Sequence, residues 1–236
     1  MRPILLLSTL LITCFAFAQE INQFDENGKR HGKWQKTFEG SKELRYQGQF
    51  EHGKEVGLFK YYKLVGPKSK LAATKLFNTE NYLAEAKFYT SKGNLVSEGM
   101  MNAKLYIGEW KYYHKNSNTI LTLENYNDKG VLHGKKEVFY ENGKVAEALN
   151  YNNGKLDGEI FYYATNGTLV KSYIYVNDVL HGYSKHFNSK GDMLIEGAYK
   201  NDKKHGVWKF YENGKLVKTK DFTTYSKNPF NKSKKN

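Results

Sequence analysis

The chain contains a single cysteine, Cys14, among its 236 residues. Cys14 lies in an apolar segment, residues 4–17, that follows Arg2 and ends in the small-x-small sequence Ala16-Phe17-Ala18. This arrangement is typical of a secretory signal peptide. Removal of residues 1–18 would leave a chain without cysteine, which excludes disulfide bonds and thiol catalysis. We therefore predict a secreted protein, or one held in the periplasm or cell envelope, after cleavage near Ala18.

Two alternatives for this segment stay open. The apolar run is too short to span a bilayer comfortably, so we predict no transmembrane span, but a retained N-terminal anchor helix would hold the chain at a membrane. Lipidation at Cys14 would do the same, although Thr13 is a poor residue directly before a lipidated cysteine. Cleavage after Ala18 would remove Cys14 together with this second alternative.

Catalytic motifs are also missing. The sequence contains no phosphate-binding P-loop, no paired-metal motif and no His-Glu helix motif. Carboxylates such as Glu109, Glu137 and Glu159 are scattered over repeat positions, without a nucleophile and base to accompany them. We therefore predict that the protein is not an enzyme and that it uses no cofactor.

Apolar residues make up 39% of the chain, which is low for a packed domain of this length. Aromatic residues are frequent by contrast, with 19 Tyr and 14 Phe. Tyrosine suits a surface strand because its ring stacks on a neighbour while its hydroxyl stays in water. This composition predicts a thin sheet without a deep core, stabilised by ladder hydrogen bonds and cross-strand pairs.

A short pattern recurs through most of the chain. It is clearest at residues 203–216, where His205-Gly206 precedes an aromatic run and Asn213-Gly214, a strong hairpin signal. The 51-residue gap before the third of the equivalent glycines contains a degenerate unit near Ala84, so we count about eight units. Seven glycines hold the same place as repeat anchors: Gly32, Gly57, Gly108, Gly134, Gly158, Gly182 and Gly206.

Each unit has room for two strands of about six residues and two turns, and none for a helix. The sequence therefore predicts an all-β fold, an elongated single-layer antiparallel sheet of tandem β-hairpins. We expect one repeat domain over residues 19–222 and a basic disordered tail over residues 223–236. Within the array, residues 64–75 are expected to form a longer basic loop, where Gly66 and Pro67 interrupt the ladder.

The unit resembles the MORN repeat. The residues that carry the likeness read Gly-x-Trp-x-Phe/Tyr-Tyr, then Asn-Gly-Lys-Leu, then Asn-x-Lys-x-His/Asp-Gly, over roughly residues 28–222. The form is similar to the variant found in bacterial YwqK-type repeat proteins, often labelled antitoxins. The resemblance implies a long twisted rod of hairpins and, from the family label alone, an antitoxin-like inhibitor. The chain departs from the pattern at Ala84, Lys136, Ser184 and His186.

The chain carries 37 Lys and Arg against 24 Asp and Glu, a formal net charge of +13. Many lysines fall in the turns and would form two cationic edges along the rod, which would attract an anionic membrane, an envelope glycan or an acidic protein. The same lysines would also keep the turns soluble and prevent sheet aggregation. Nucleic acid is not an expected partner of a secreted chain.

The aromatic positions are the candidate partner-binding site. They would form stripes on the sheet that either bind an apolar partner or sugar ring, or hold the sheet together. The candidate residues are Trp34, Phe59, Trp110 and Trp208 in one repeat position and Tyr62, Tyr113, Tyr163 and Tyr211 in another.

Four histidines, His31, His133, His181 and His205, directly precede anchor glycines. Equivalent positions in adjacent hairpins lie about 9.5 Å apart, too far to share one zinc ion, so we assign them to turn chemistry and predict no metal site. The leading functional prediction is a secreted non-enzymatic repeat scaffold that binds a protein partner along its aromatic and lysine-rich surface. The alternative is a peripheral binder of an anionic membrane or envelope glycan.

Overall fold

The computed structural model describes residues 20–223, which form one antiparallel sheet of nineteen strands. The predicted signal peptide and, apart from Thr223, the predicted tail lie outside the described residues. No helix within residues 20–223 has the length and hydrophobicity needed to cross a membrane. The strands are β1 (Gln23–Phe24), β2 (Arg30–Thr37), β3 (Leu44–Glu51), β4 (Lys54–Val65), β5 (Lys68–Phe77), β6 (Leu83–Tyr89), β7 (Leu95–Asn102), β8 (Leu105–Tyr113), β9 (Ile120–Tyr126), β10 (Gly134–Phe139), β11 (Val145–Asn152), β12 (Lys155–Leu156), β13 (Gly158–Tyr163), β14 (Leu169–Val176), β15 (Val179–Leu180), β16 (Gly182–Phe187), β17 (Met193–Lys200), β18 (Lys203–Glu212) and β19 (Lys215–Asp221).

The sheet follows chain order, because each main strand pairs antiparallel with the strand before it and the strand after it. Eight hairpins result, namely β2–β3, β4–β5, β6–β7, β8–β9, β10–β11, β13–β14, β16–β17 and β18–β19. The predicted all-β, single-layer array of about eight hairpin repeats is therefore confirmed. Hairpin turns lie along one edge of the sheet, and the turns that link successive hairpins lie along the other.

The anchor glycines mark a change of register at the start of each unit. All seven have positive φ, from +62° at Gly108 to +129° at Gly182, a region that L side chains rarely adopt. At Gly108 the pairing of β7 with β8 changes from Met100–Ile107 to Gly99–Trp110. Gly108 and Glu109 therefore have no paired residue in β7. In the degenerate third unit β5 and β6 pair without any shift, which explains why Ala84 is tolerated there.

The prediction of a long loop over residues 64–75 is wrong. Strands β4 and β5 pair without a break to the Val65–Lys68 pair, and only Gly66 and Pro67 form the turn. Gly66 has φ +61°, as the first central residue of a type II′ turn requires. Pro67 removes no ladder donor because it lies in the turn itself.

The expectation that the sheet has no deep core is also wrong. Phe59, Trp110 and Ile160 are 0% exposed and Trp208 is 1% exposed, although no second layer covers them in residues 20–223. The core lies on one face of the sheet, and its geometry determines which residues are left for binding.

Candidate binding surfaces

One face of the sheet carries the repeat position occupied by the tryptophans, and we call it the ring face. Because directly paired residues share a face, the register defines a central row that crosses every main strand of the sheet from β2 to β19. In order it reads Trp34, Gly48, Phe59, Lys75, Ala86, Gly99, Trp110, Glu124, Lys136, Leu149, Ile160, Tyr173, Ser184, Gly197, Trp208 and Lys220.

The buried rings of this row lie flat on glycines of the preceding strand. A Cβ atom on Gly99 would lie 2.6 Å from the ring of Trp110, and Gly48 beneath Phe59 and Gly197 beneath Trp208 leave still less room. Each glycine precedes its ring by 11 residues. Contact with the glycine backbone removes one side of each ring from water. In a single-layer sheet a ring can lie this close to the neighbouring strand only where that strand has a glycine.

Neighbouring rings cover the other side. Around Trp110, the ring of Tyr106 is stacked with centroids 3.7 Å apart, while Phe88 and Tyr112 lie 6.1 Å and 6.5 Å away. The indole Nε1–H of Trp110 donates a 2.8 Å hydrogen bond to the carbonyl of Met100, so burial leaves no polar atom unsatisfied. Trp208 repeats this arrangement, with its Nε1–H donating to the carbonyl of Ala198 at 3.0 Å.

The seventh unit reverses the large and small members of the pair. The register of β14 and β16 places Tyr173 beside Ser184, so the small residue occupies the tryptophan position and the ring stands 11 residues before it. Ser184 is 1% exposed, and its Oγ–H donates to the carbonyl of Gly197 at 3.0 Å. Lys75 and Ala86 form a third version of the pair, in which the larger member is a lysine.

The tyrosines at the second aromatic position lie on the opposite face, which we call the charge face. It carries Lys87–Glu98–Lys111 and, 98 residues later, Lys185–Glu196–Lys209 as cross-strand rows. Tyrosine hydroxyls contact residues 15 positions earlier: Gln47 Nε2 donates to Tyr62 at 3.1 Å, Tyr113 donates to Glu98, and Tyr211 donates to Glu196 at 2.7 Å.

The two bonds to carboxylates shift the pKa of both the glutamate and the tyrosine. The bond from Tyr113 is the main cause of the lowered pKa of the Glu98 carboxyl, and the bond from Tyr211 lowers the pKa of Glu196 in the same way. Burial, followed by the nearby Glu98 carboxylate, raises the pKa of the Tyr113 phenol to about 12. Both carboxylates are thus ionised at neutral pH and are fixed in place by the tyrosine hydroxyls.

The structure divides the predicted partner-binding residues between the two faces. On the ring face Phe59, Trp110 and Trp208 are enclosed, and half-buried Trp34 packs against Phe24 and Phe50. On the charge face Tyr62, Tyr113, Tyr163 and Tyr211 are all half-buried. Their binding of a partner stays a prediction, and the contacts described here account for the packing role that the sequence also allowed.

A surface that sequence reasoning missed runs along the returning strands of the hairpins. In each hairpin that strand contains one extra residue, a β-bulge, beside the aromatic pair. Four apolar residues among them are exposed: Val96 by 41%, Leu121 by 36%, Leu194 by 38% and Val217 by 53%. The sequence signal that could have revealed this surface is an apolar residue that recurs every 23 to 25 positions. In the β2–β3 hairpin the extra residue is Arg45. We call the seven apolar bulge residues of the other hairpins the bulge stripe: Ala72, Val96, Leu121, Ala146, Val170, Leu194 and Val217.

The lysines lie at the two edges of the sheet. Lys92, Lys144, Lys190 and Lys215 are exposed at or beside the hairpin turns. On the linking edge Lys29, Lys104, Lys129, Lys155 and Lys203 are exposed, Arg30 is exposed in β2, and Lys54 and Lys204 are half-buried. Carboxylates such as Asp128, Asp178 and Asp202 lie in the same linking turns, so the lysines of that edge stand in a surface of mixed charge.

The histidines of the linking turns contact the next turn of the same edge. His31 Nδ1 accepts a long hydrogen bond of 3.5 Å from the backbone N–H of His52, and His133 Nδ1 accepts one of 3.4 Å from Asn153. Both donors have φ +48°. Across residues 20–223, no three His, Cys, Asp or Glu side chains are grouped so that they could hold a metal ion.

A groove of about 1040 Å³ opens on the ring face at the second and third units. Its walls come from β4, β5 and β6 and from the linking turns beside them. Five cationic residues line it, Lys29, Arg30, Lys54, Lys75 and Lys104, together with rings that include Phe77, Tyr82 and Phe88.

A family model described as MORN repeat variant matches residues 132–153 and 204–223. The two stretches cover the β10–β11 and β18–β19 hairpins, so the unit of the family is the hairpin described above. No curated protein matches the chain. The narrower YwqK type stays a prediction. The two matched hairpins are similar to the MORN repeat variant, and most of the other hairpins repeat their register, anchor glycine and bulge.

Proposed function

We propose that the protein is an exported, non-enzymatic scaffold that binds a protein partner along its length. Repeat arrays present extended surfaces of this kind. The observation that supports the proposal best is the bulge stripe, because exposed apolar residues in a regular row favour contact with another protein. Export, with cleavage near Ala18, is part of the proposal and places the partner in the periplasm, the cell envelope or the exterior.

The flanking charge supports the same function. The exposed lysines of both edges would steer and orient an acidic partner, while contacts to the stripe would hold it. Leu121 and Leu194 are suitable anchors because each is exposed by more than a third of its surface. The partner surface should therefore carry an apolar row bordered by carboxylates.

The experiment uses affinity capture from the native envelope, identification of the captured protein, and titration of that protein against purified variants. We expect Leu121→Asp combined with Leu194→Asp to weaken binding at least tenfold while the melting temperature stays close to that of the wild type. Leu58→Asp is the matched control, since Leu58 is 51% exposed but lies outside the stripe. Equal binding by the stripe variant and the wild type would contradict the proposal.

A second candidate function is binding to an anionic membrane or envelope glycan. The exposed lysines on both edges favour it. Co-sedimentation with vesicles containing anionic lipid should then fall steeply as salt rises, because exposed charges are screened over about 8 Å at physiological ionic strength. Sedimentation that requires Leu121 and Leu194 and resists salt would instead favour a protein partner.

A further inference from the structure

The groove at the second and third units differs from the rest of the ring face in the pair of residues at its centre. Most other units place a ring on a small residue or a large apolar pair, and the fifth places the ion pair of Lys136 with Glu124. The third unit instead places Lys75 beside Ala86. Ala86 is 1% exposed and packs with Met101 and Trp110, whereas Lys75 lines the groove. A lysine side chain thus stands at the central position next to Phe59 and lines the groove.

The cations of the groove have no carboxylate partners. Seven ion pairs occur within residues 20–223, and none includes Lys29, Arg30, Lys54, Lys75 or Lys104. Glu55 is the one carboxylate among the lining residues. On the charge face, by contrast, Lys87 and Lys209 each form a 3.0 Å ion pair. Five positive charges against one negative charge favour an anionic ligand.

Lys75 is the most informative of these groups. Its side chain is half-buried, and its Nζ lies 6.0 Å from the centroid of the Tyr61 ring. Burial lowers the pKa of this ammonium, an effect that Glu55 only partly opposes. An ammonium withdrawn from water without a bonded partner gains stability when an anion binds beside it.

Aromatic surface surrounds the charges. Arg30 holds its guanidinium 4.7 Å from the centroid of Phe50. At the rim, Tyr82 is 73% exposed, and the Nζ of Lys54 lies 5.8 Å from its centroid. Phe77 and Phe88 are half-buried and line the interior. The groove therefore offers ring surface for an apolar side chain directly beside cations for carboxylates.

We propose that this groove binds an acidic peptide segment, whose carboxylates contact Arg30, Lys54 and Lys75 while an apolar side chain packs on Phe77 and Phe88. A peptide fits better than an acidic sugar chain, because sugar hydroxyls need many acceptors as well as donors. The groove offers few acceptors besides Glu55 and Asn81. The site is separate from the bulge stripe, so it names a second contact on the scaffold rather than restating the first.

The test titrates the full exported chain against a fluorescein-labelled peptide of eight residues, in which glutamate alternates with leucine or phenylalanine. Fluorescence anisotropy should report binding that weakens at least tenfold in Arg30→Gln combined with Lys75→Gln. The matched control is Lys33→Gln combined with Lys60→Gln, which also removes two positive charges, but from the opposite face of the sheet. The control should bind within twofold of the wild type.

Further variants keep the result clear. If the double variant melts early, Lys54→Gln at the rim should still weaken binding about threefold, with a small stability change from the lost hydrogen bond between its Nζ and the Thr79 carbonyl. Leu121→Asp combined with Leu194→Asp should leave peptide affinity unchanged, so the groove and the proposed scaffold function fail separately. No binding by the wild type, equal losses in the groove and control variants, or preferential binding of a glucuronic acid octamer would overturn the proposal.

Discussion

The seventh and eighth hairpins are built on the same backbone pattern but exchange the large and small members of their central pair. In the eighth, the ring of Trp208 lies on Gly197. In the seventh, Tyr173 supplies the ring and Ser184 takes the position of the tryptophan. Both small residues are covered, and Ser184 is as well buried as Trp208. The requirement of the fold is thus a filled space between two strands, and either strand can provide the side chain.

The largest expected effect comes from removing a ring whose partner is glycine. Trp110→Ala should destabilise the protein by about 3–5 kcal/mol, because the neighbouring strand has no side chain to fill the space. Ser184→Ala, the change at the equivalent position of the seventh unit, should cost only about 0.5–1.5 kcal/mol, the loss of one hydrogen bond. Urea denaturation measures both. Similar costs at the two positions would contradict the comparison.

The second effect tests the space beneath a ring. Gly197→Ala should cost about 1–3 kcal/mol, since the added methyl group collides with the indole of Trp208 and the core is already full. Thermal and urea unfolding would measure the loss. Trp208→Leu should make the same glycine substitution less costly, because the smaller side chain can move. If Gly197→Ala destabilises the Trp208→Leu variant as much as the wild type, the added methyl group does not collide with the indole.

The third effect tests the exchange itself. Tyr173→Gly and Ser184→Trp should each destabilise the seventh hairpin, one by leaving a space and the other by overfilling it. Together they recreate the pair found in the eighth hairpin, so the double variant should recover about 0.5–3 kcal/mol relative to the sum of the single changes. A double-mutant cycle by urea denaturation measures the coupling. Simple additivity would show that the two side chains do not share one space.

The smallest effect concerns the charge face and depends on pH. The pKa values of Glu98 and Glu196 are lowered from about 4.5 by hydrogen bonds from Tyr113 and Tyr211. A lowered carboxyl pKa contributes stability that is present above the unfolded value and lost as pH falls through the folded value. Glu98→Gln combined with Glu196→Gln should therefore flatten the melting temperature profile below about pH 4.5. An unchanged slope would contradict this assignment.

The repeat itself was readable from the sequence. Anchors such as Gly206 and turns such as Asn213-Gly214 predicted the hairpins and their number, because backbone preference and spacing are local properties. The burial of Trp110 was not predicted, because it depends on Gly99 in the neighbouring strand, a position that is glycine in only some of the units. The glycine 11 positions before a ring would have revealed the pairing.

The candidate binding surfaces were harder to predict for the same reason. The sequence predicted aromatic stripes containing Phe59 and Tyr62 without assigning a face to either, and the alternation of side chains along β4 places them on opposite faces. The bulge residues were overlooked because a strand pattern read with period two does not reveal an extra residue. The cationic groove depends on residues from four linking regions, from Lys29 to Lys104, which only the register brings together.

The central claim is that a single-layer sheet buries tryptophan by placing it on glycine, and one measurement tests it directly. A variant with Trp34→Phe and Trp208→Phe leaves Trp110 as the one indole of the chain. We predict blue-shifted emission and weak quenching by acrylamide in the native state, both lost on unfolding in urea. Emission and quenching like those of a free indole in the folded protein would contradict the account.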